Sequence, residues 1–180
     1  MTPSGRRTIV LLLCCCLLPA AGASQRHTET ALWVEMKRNG EPDITIALTR
    51  KIALRFADLY GEKKARNGFI TKEMIQSVLA GREDSVRTHN RERDIDALLY
   101  LRELVVPEGN KEGKGQLVAE IHKSGRKDVR MYVPESELEK DTQSGEFARW
   151  KQFFPFLKKE GGVVYMYTPR HHTEVWLYID

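Results

Sequence analysis

Histidine is the residue type in this chain best suited to metal binding, and its five positions are scattered. The adjacent pair His171-His172 falls in a predicted hairpin turn. Neighbouring residues of an extended chain point to opposite faces, so this pair is poorly placed to chelate one metal. A zinc site also needs three or four converging ligands. We therefore expect solvated histidines, no metal site and no cofactor. The remaining histidines are His27, His89 and His122.

Paired carboxylates are the second candidate, because glycoside hydrolases hold two of them about 5–10 Å apart in a cleft. Acidic pairs such as Glu83-Asp84 lie in polar stretches, where nothing would desolvate a carboxyl group and raise its pKa. The serines lack the glycine-flanked context of a nucleophile elbow. The sequence therefore predicts no catalytic residue.

Aromatic residues are the most informative group, because alternation in the predicted strands places seven of them on one sheet face, away from the helices. Contiguous exposed aromatics usually mark an interface. Three interpretations stay open: two halves of the chain pack together and bury this face, part of it binds a protein or glycan, or the rings are singly exposed strand aromatics with no role. Without a basic patch, a nucleic-acid partner is not expected. The seven residues are Trp33, Tyr100, Tyr132, Tyr165, Tyr167, Trp176 and Tyr178.

The elements that would position these residues occur twice in the sequence. Residues 32–48 align without a gap on residues 117–133, with glycine on glycine at the predicted turns. The carboxylates Glu35 and Glu120 fall on each other, which indicates either a shared functional carboxylate or a salt bridge on the strand face. A second gapless alignment places Val86, Leu99 and Tyr100 on Val164, Leu177 and Tyr178. Two alignments in the same order favour an internal duplication.

Hydrophobic periodicity gives each copy the pattern hairpin, helix, hairpin. Alternating residues 32–38 and 43–48 flank the turn signal Asn39-Gly40. A helical stripe follows Thr49, and Thr71 is a predicted N-cap of the next helix. We therefore expect an α+β protein made of two similar antiparallel sheet-plus-helix units. The predicted segments are a signal peptide 1–23, a polar tail 24–31, a first ββ-α-ββ unit 32–104, a linker 105–116 and a second unit 117–180.

Three segments of the first unit, VEMKRNGEPDITIALTRKIALRFA, ITKEMIQSVLAG and ALLYL, together resemble a small bacterial module labelled SHOCT-like. The resemblance covers about residues 32–101 and rests on apolar spacing. It implies a strand hairpin, an amphipathic helix, a short helix and a closing hairpin, but no mechanism. The export signal and the second copy depart from that pattern.

The first 23 residues read as a secretory signal, because Arg6-Arg7 precede the short apolar run 8–18 and a small-residue site. All three cysteines lie in this leader, so the mature chain would have no disulfide. An uncleaved anchor is the alternative. We expect a periplasmic or secreted protein with no transmembrane helix once the signal is removed.

The two leader arginines supply half of the net charge of +4, and acids and bases alternate through the rest of the chain. No converging set of nucleophile, base or metal ligands is evident. The predicted function is therefore a non-enzymatic exported protein that binds or scaffolds through its sheet surfaces. The alternatives are an enzyme with a site in the cleft between the two units, or a small-ligand carrier with a pocket beneath Phe56, Leu59 and Phe69.

Overall fold

The computed structural model of the chain describes residues 26–62, 69–107, 115–133 and 153–180. The predicted signal peptide therefore lies outside the described residues. The helices in these ranges are α1 (Arg50–Glu62), α2 (Lys72–Leu79) and α3 (Phe154–Glu160). The strands are β1 (Arg26–Arg38), β2 (Glu41–Thr49), β3 (Ser85–Asn90), β4 (Ile95–Pro107), β5 (Leu117–Lys123), β6 (Val129–Val133), β7 (Val163–Thr168) and β8 (Thr173–Ile179).

All eight of these strands form one antiparallel sheet, in the order β3-β4-β1-β2-β7-β8-β5-β6. The predicted fold class, two separate sheet-plus-helix units, is therefore wrong. Strand β2 of the first half pairs directly with β7 of the second, with Leu48 opposite Val164. This β2–β7 joint satisfies backbone hydrogen-bonding groups that two separate sheets would leave unpaired at their edges.

The strand order is nevertheless the same within the two halves. The first half has the order β3-β4-β1-β2 and the second has β7-β8-β5-β6, so each strand has a counterpart in the same relative position. The register also agrees, because Trp33 lies opposite Tyr100 as Val118 lies opposite Tyr178. These are the positions that the two sequence alignments match. The duplication itself stays a prediction.

The three helices pack on one face of the sheet. Ile52 of α1, Ile75 of α2 and Leu157 of α3 are fully buried in a single apolar cluster. Strands of both halves contribute to that cluster, including Leu32 from β1 and Leu177 from β8. Burying such a side chain stabilises the fold by about 1.5–3 kcal/mol. The shared core therefore couples the two halves energetically.

Local signals of the sequence set the boundaries of several elements. Asn39 and Gly40 both have positive φ, 52° and 79°, and form the turn between β1 and β2. Thr71 has an extended backbone, and its hydroxyl oxygen accepts a hydrogen bond from the Met74 N–H at 3.4 Å. The turn and the N-cap predicted from the sequence are therefore confirmed.

Replacing Thr71 by alanine is expected to lower the free energy of unfolding by about 1 kcal/mol, because the Met74 N–H loses its acceptor. Urea denaturation followed by circular dichroism measures the change. Thr71→Ser keeps the hydroxyl group and serves as the matched control. An alanine variant with the parent midpoint would show that this cap does not stabilise α2.

Strand β1 begins earlier than predicted, because its first residues find a partner far along the chain. Arg26 lies opposite Pro107, and the pairing of β1 with β4 continues to Arg38 opposite Ile95. The prediction of a polar tail over residues 24–31 is therefore wrong from Arg26 onward. The predicted linker 105–116 likewise begins inside β4, and residues 108–114 of it lie outside the described residues.

Candidate functional site

The sheet face opposite the helices carries all seven aromatic side chains named above, because they alternate with residues of the helix-side core. Their exposure differs more than the sequence suggested. Tyr178, Tyr165 and Trp176 are buried, Trp33, Tyr100 and Tyr167 are half-buried, and Tyr132 is 56% exposed.

The burial does not come from packing of one half against the face of the other, since the halves meet edge to edge. It comes from the long β1–β4 pair. Leu104 and Val106, near the end of β4, belong to the apolar cluster that contains Trp176 and Tyr178. The guanidinium of Arg26 lies 5.7 Å from the centre of the Trp176 ring. The ends of β1 and β4 therefore cover the second half of this face and leave the first half open.

Four aromatic side chains form a continuous row across the strands, which we call the aromatic row: Tyr100, Trp33, Tyr165 and Trp176. The Trp33 ring stacks on the Tyr100 ring, with 6.4 Å between the ring centres. The centre of the Tyr165 ring lies 5.6 Å from that of Trp33. The ring centres of Tyr165 and Trp176 are 4.8 Å apart. Ala47 lies between Trp33 and Tyr165 in the register, and its small side chain lets the two rings meet above it. The row crosses five strands, a distance of about 19 Å at ~4.8 Å per strand.

A second row runs beside the first, two residues away on the strands that the two rows share, and consists of hydrogen-bonding side chains. In the register Glu35 is opposite Thr45, which is opposite Tyr167. Tyr167 is opposite Glu174, and Glu174 is opposite His122. All five are partly exposed. We call this set the polar row. An aromatic surface therefore lies next to a line of donors and acceptors.

Each half of the sheet contains a tyrosine that donates a hydrogen bond to a glutamate on the neighbouring strand. The Tyr100 hydroxyl donates to Glu35 Oε1 at 2.5 Å, and the Tyr178 hydroxyl donates to Glu120 Oε1 at 2.6 Å. The sequence matched the two glutamates and the two tyrosines separately, but only the structure pairs them. Burial and then the Glu35 carboxylate raise the pKa of Tyr100 above its usual range, so the phenol stays protonated as the donor.

The pair in the second half is sealed. Tyr178 is fully buried and Glu120 is 7% exposed. Arg26 Nη2 lies 3.6 Å from Glu120 Oε2, and Arg130 Nε lies 3.7 Å from Glu120 Oε1. Arg130 also pairs with Asp180. Burial and the hydrogen bond to Glu120 raise the pKa of Tyr178 well above its usual range. This network holds the fold, and its carboxylate is closed to a ligand.

A cleft of about 370 Å³ opens at the second-half end of the polar row. His122 Nδ1 lies 2.8 Å from Asp128 Oδ2, and the His122 ring meets Trp176 edge-on at 4.9 Å. The cleft thus adjoins the end of the aromatic row. It lies within the second half, not between the halves as the enzyme alternative supposed. Its lining residues are His122, Lys123, Ser124, Asp128, Tyr167, His172 and Glu174.

The sequence predicted that the histidines are isolated, solvated side chains. The structure instead brings His122 and His172 into one cleft, because a hydrogen bond from Ser124 N to the His172 carbonyl joins their two turns at 3.1 Å. Their separation in sequence gave no signal of this. Across residues 26–62, 69–107, 115–133 and 153–180, no group of three or more His, Cys, Asp or Glu side chains is arranged to hold a metal ion.

The space proposed for a small-ligand pocket is occupied by the core where the structure describes it. The Phe56 ring stacks on Phe153 at 5.7 Å, and Phe153 is 1% exposed. Phe56 and Phe69 both pack against the helix-side cluster. The two described phenylalanines of the proposed pocket therefore act as core residues. Among the described helices, none has the length and apolar character needed to span a bilayer.

No protein-family model, curated protein or solved structure is significantly similar to this chain. The resemblance to the SHOCT-like module stays a prediction. Function is therefore inferred from the side chains of the sheet face and their geometry.

Proposed function

We propose that this protein is a non-catalytic module that binds a glycan across the open face of its sheet. The observation that carries the proposal is the pairing of the aromatic row with the polar row. A sugar ring has the same two-sided character, because its C–H bonds form an apolar surface and its hydroxyl groups project from the rim. Aromatic faces are electron-rich and attract such C–H surfaces, while the polar row supplies hydrogen-bond partners.

The dimensions favour an extended ligand over a single sugar ring. The polar row, whose five members are all partly exposed, also crosses five strands and is about 19 Å long by strand spacing. In the aromatic row Tyr165 and Trp176 are buried, whereas Trp33 and Tyr100 are half-buried. The exposed aromatic surface is therefore at the first-half end, where the Arg102 guanidinium lies 5.7 Å from the centre of the Trp33 ring. The cleft beside His122 closes the other end. A chain of several sugar units lying across the strands fits this layout.

The predicted export signal agrees with such a ligand, since cell-envelope and extracellular glycans are found where an exported protein would act. The signal lies outside the described residues and stays part of the proposal. The mixed, nearly balanced charge of the chain supports a glycan or protein partner rather than a nucleic acid, which would require a clustered basic face.

Binding of the purified full chain to an array of neutral, carboxylated, sulfated and amino-sugar glycans tests the proposal. We expect Trp33→Ala to weaken binding of any captured glycan at least tenfold, because truncating an aromatic anchor typically costs about 2 kcal/mol. Titration calorimetry with the captured glycan measures the change.

The matched control is Tyr132→Ala, which removes an exposed aromatic ring on the same face but on β6, outside the aromatic row. Its affinity should equal that of the parent. Thermal unfolding of each variant shows whether it remains folded at the temperature of the titration. A chain that captures no glycan, or a Trp33→Ala variant that is folded and binds like the parent, would refute the proposal.

The cleft supports a second candidate function, hydrolysis of the bound glycan. The Asp128 carboxylate lies 2.8 Å from His122 Nδ1, so the other ring nitrogen, Nε2, is the one that would act as the general base. Incubating the captured glycan with the protein and analysing the products by mass spectrometry distinguishes the two functions. Shortened chains that disappear with His122→Asn would favour the enzyme, and an intact glycan would leave binding alone.

A further inference from the structure

The sheet ends in two edge strands that correspond to the two strands joined at its centre. Within the described ranges, β3 pairs only with β4 and β6 pairs only with β5. In the strand order, β6 has the position in the second half that β2 has in the first, and β3 has the position that β7 has in the second. Strands β2 and β7 pair with each other. The molecule therefore contains one joint of the kind that its two outer edges could form again.

The register supports this correspondence residue by residue. The matched pairs are Leu117–Val133 with Leu32–Leu48, and Leu99–Val86 with Leu177–Val164. At the β2–β7 joint, Leu48 is opposite Val164. The same geometry would place Val133 of one copy opposite Val86 of another copy.

The helix side of such a joint would be apolar. Val86, Met131 and Val133 all belong to or pack against the helix-side cluster, and Val86 and Met131 are still partly exposed. In the register of the β2–β7 joint, Met131 would meet Thr88. At that joint the equivalent apolar contact is closed, since Leu48 is 1% and Val164 is 0% exposed. Pairing of β6 with β3 would thus bury apolar surface that each edge now leaves in water.

The open-face side of the joint is also complementary. Tyr132, which is 56% exposed on β6, would meet Arg87, which is exposed on β3. A guanidinium is attracted to the face of a tyrosine ring. Arg130 and His89 would meet as well, but each is already paired with an aspartate of its own chain. Both faces of the two edges therefore fit each other.

We propose that this chain self-associates head to tail, with β6 of one copy pairing antiparallel with β3 of the next in the register of the β2–β7 joint. An edge strand presents a row of backbone N–H and C=O groups without partners, which such pairing satisfies. The partner is a second copy of the chain, because both sides of the joint are carried by the chain itself. The two surfaces in contact differ, so every added copy leaves one β3 and one β6 edge free. Contacts of this kind build rings or open filaments.

Sedimentation velocity of the purified full chain over a concentration series tests the proposal. We expect the mean sedimentation coefficient to rise with concentration and species larger than a dimer to appear. Tyr132→Lys removes the ring and places a second cation opposite Arg87, so the concentration for half-association should rise by about tenfold or more. Leu54→Lys is the matched control, because Leu54 is 43% exposed on α1 and lies on neither edge strand. It should associate like the parent.

A charge exchange identifies the two edges that meet. Adding Arg87→Glu to the Tyr132→Lys chain places a carboxylate opposite the new lysine. The concentration for half-association should then return to within about threefold of the parent value. The two positions lie on opposite edges of the sheet, so a contact within one chain cannot produce this rescue. Circular dichroism and thermal unfolding show whether each variant is folded.

Three outcomes would overturn the proposal. The parent could remain a monomer at every concentration, or a folded Tyr132→Lys variant could associate like the parent through another surface. Association could also stop at a dimer and not be restored by Arg87→Glu, which would indicate that two β6 edges pair with each other. No glycan is present in these measurements, so their outcome is independent of the proposed function.

Discussion

Replacing Gly162 by alanine is expected to lower the free energy of unfolding by about 2–5 kcal/mol. Gly162 has a φ of +94°, which costs an L-residue about 1–2 kcal/mol. A Cβ atom there would lie 2.5 Å from Thr49 Oγ1. That oxygen accepts a hydrogen bond from Val163 N at 3.0 Å and Thr49 is 2% exposed, so displacing it disturbs a buried contact worth about 1–3 kcal/mol.

The expected loss matters because the contact lies at the β2–β7 joint. Thr49 ends β2 and Val163 begins β7, so their hydrogen bonds connect the two halves of the chain. In a cooperative single sheet, weakening this joint shifts one unfolding transition of the whole protein. In a protein of two independent units, the first half would keep its own transition.

Gly40→Ala is the matched control, since Gly40 also has positive φ, +79°, but no atom lies within 4 Å of the added Cβ. This variant should lower the free energy of unfolding only by the cost of placing an L-residue at positive φ, about 1–2 kcal/mol. Guanidinium denaturation followed by both fluorescence and circular dichroism measures the two variants. Equal losses for Gly162→Ala and Gly40→Ala would mean that the Thr49 contact does not stabilise the joint.

The second large effect is expected at alkaline pH. Tyr165 and Tyr178 are buried on the sheet face, and burial, with Glu174 and Glu120 respectively, raises the pKa of each phenol above its usual value near 10. The folded state therefore holds these protons more tightly than the unfolded state. The resulting stability is fully present below about pH 10 and is lost as pH rises towards the folded-state pKa values.

Above pH 10, each tyrosine should lower the free energy of unfolding by about 1.4 kcal/mol per pH unit. The two together should therefore make the free energy of unfolding fall steeply with rising pH. Denaturant titrations at a series of pH values, with the ultraviolet absorbance of tyrosinate as a second signal, measure this slope. Tyr178→Phe should make the slope shallower by about one proton. Tyr132→Phe, at the exposed tyrosine, should leave it unchanged. A slope that Tyr178→Phe does not alter would contradict the assignment of the titrating group.

The two predictions test different parts of the structure. The first tests whether the halves form one cooperative sheet, and the second tests whether the aromatic face is sealed at its second half. Because the second half is sealed, Glu35, Tyr100 and Trp33 form the accessible part of the face. Both stability measurements therefore bear on where a glycan could bind.

Local patterns in the sequence were sufficient for elements whose partners are close along the chain. Alternation across Asn39-Gly40 predicted the β1–β2 hairpin, because turn geometry and a period of two residues fix such a pair. Thr71 predicted the start of α2, because a cap acts within three residues. The same alternation assigned the seven aromatic residues to one face.

Contacts between distant segments were decided only by the tertiary structure. The β2–β7 joint connects strands more than a hundred residues apart, and nothing in either strand indicates which free edge it will meet. The polar start of β1 became a strand because residues 102–107 pair with it. That pairing also explains why Tyr178 is buried while its counterpart Tyr100 stays accessible.

Apart from the start of β1 and the end of β4, the sequence by itself thus determined the strands, the turns and the common side of the aromatic residues, since these follow from backbone geometry over a few neighbouring residues. It also matched Glu35 with Glu120 and Tyr100 with Tyr178. Only the tertiary structure decided that these residues form two hydrogen-bonded pairs, one sealed and one open. The reason is physical: burial and charge compensation depend on which segments cover a face, and here the covering residues come from β1 and β4.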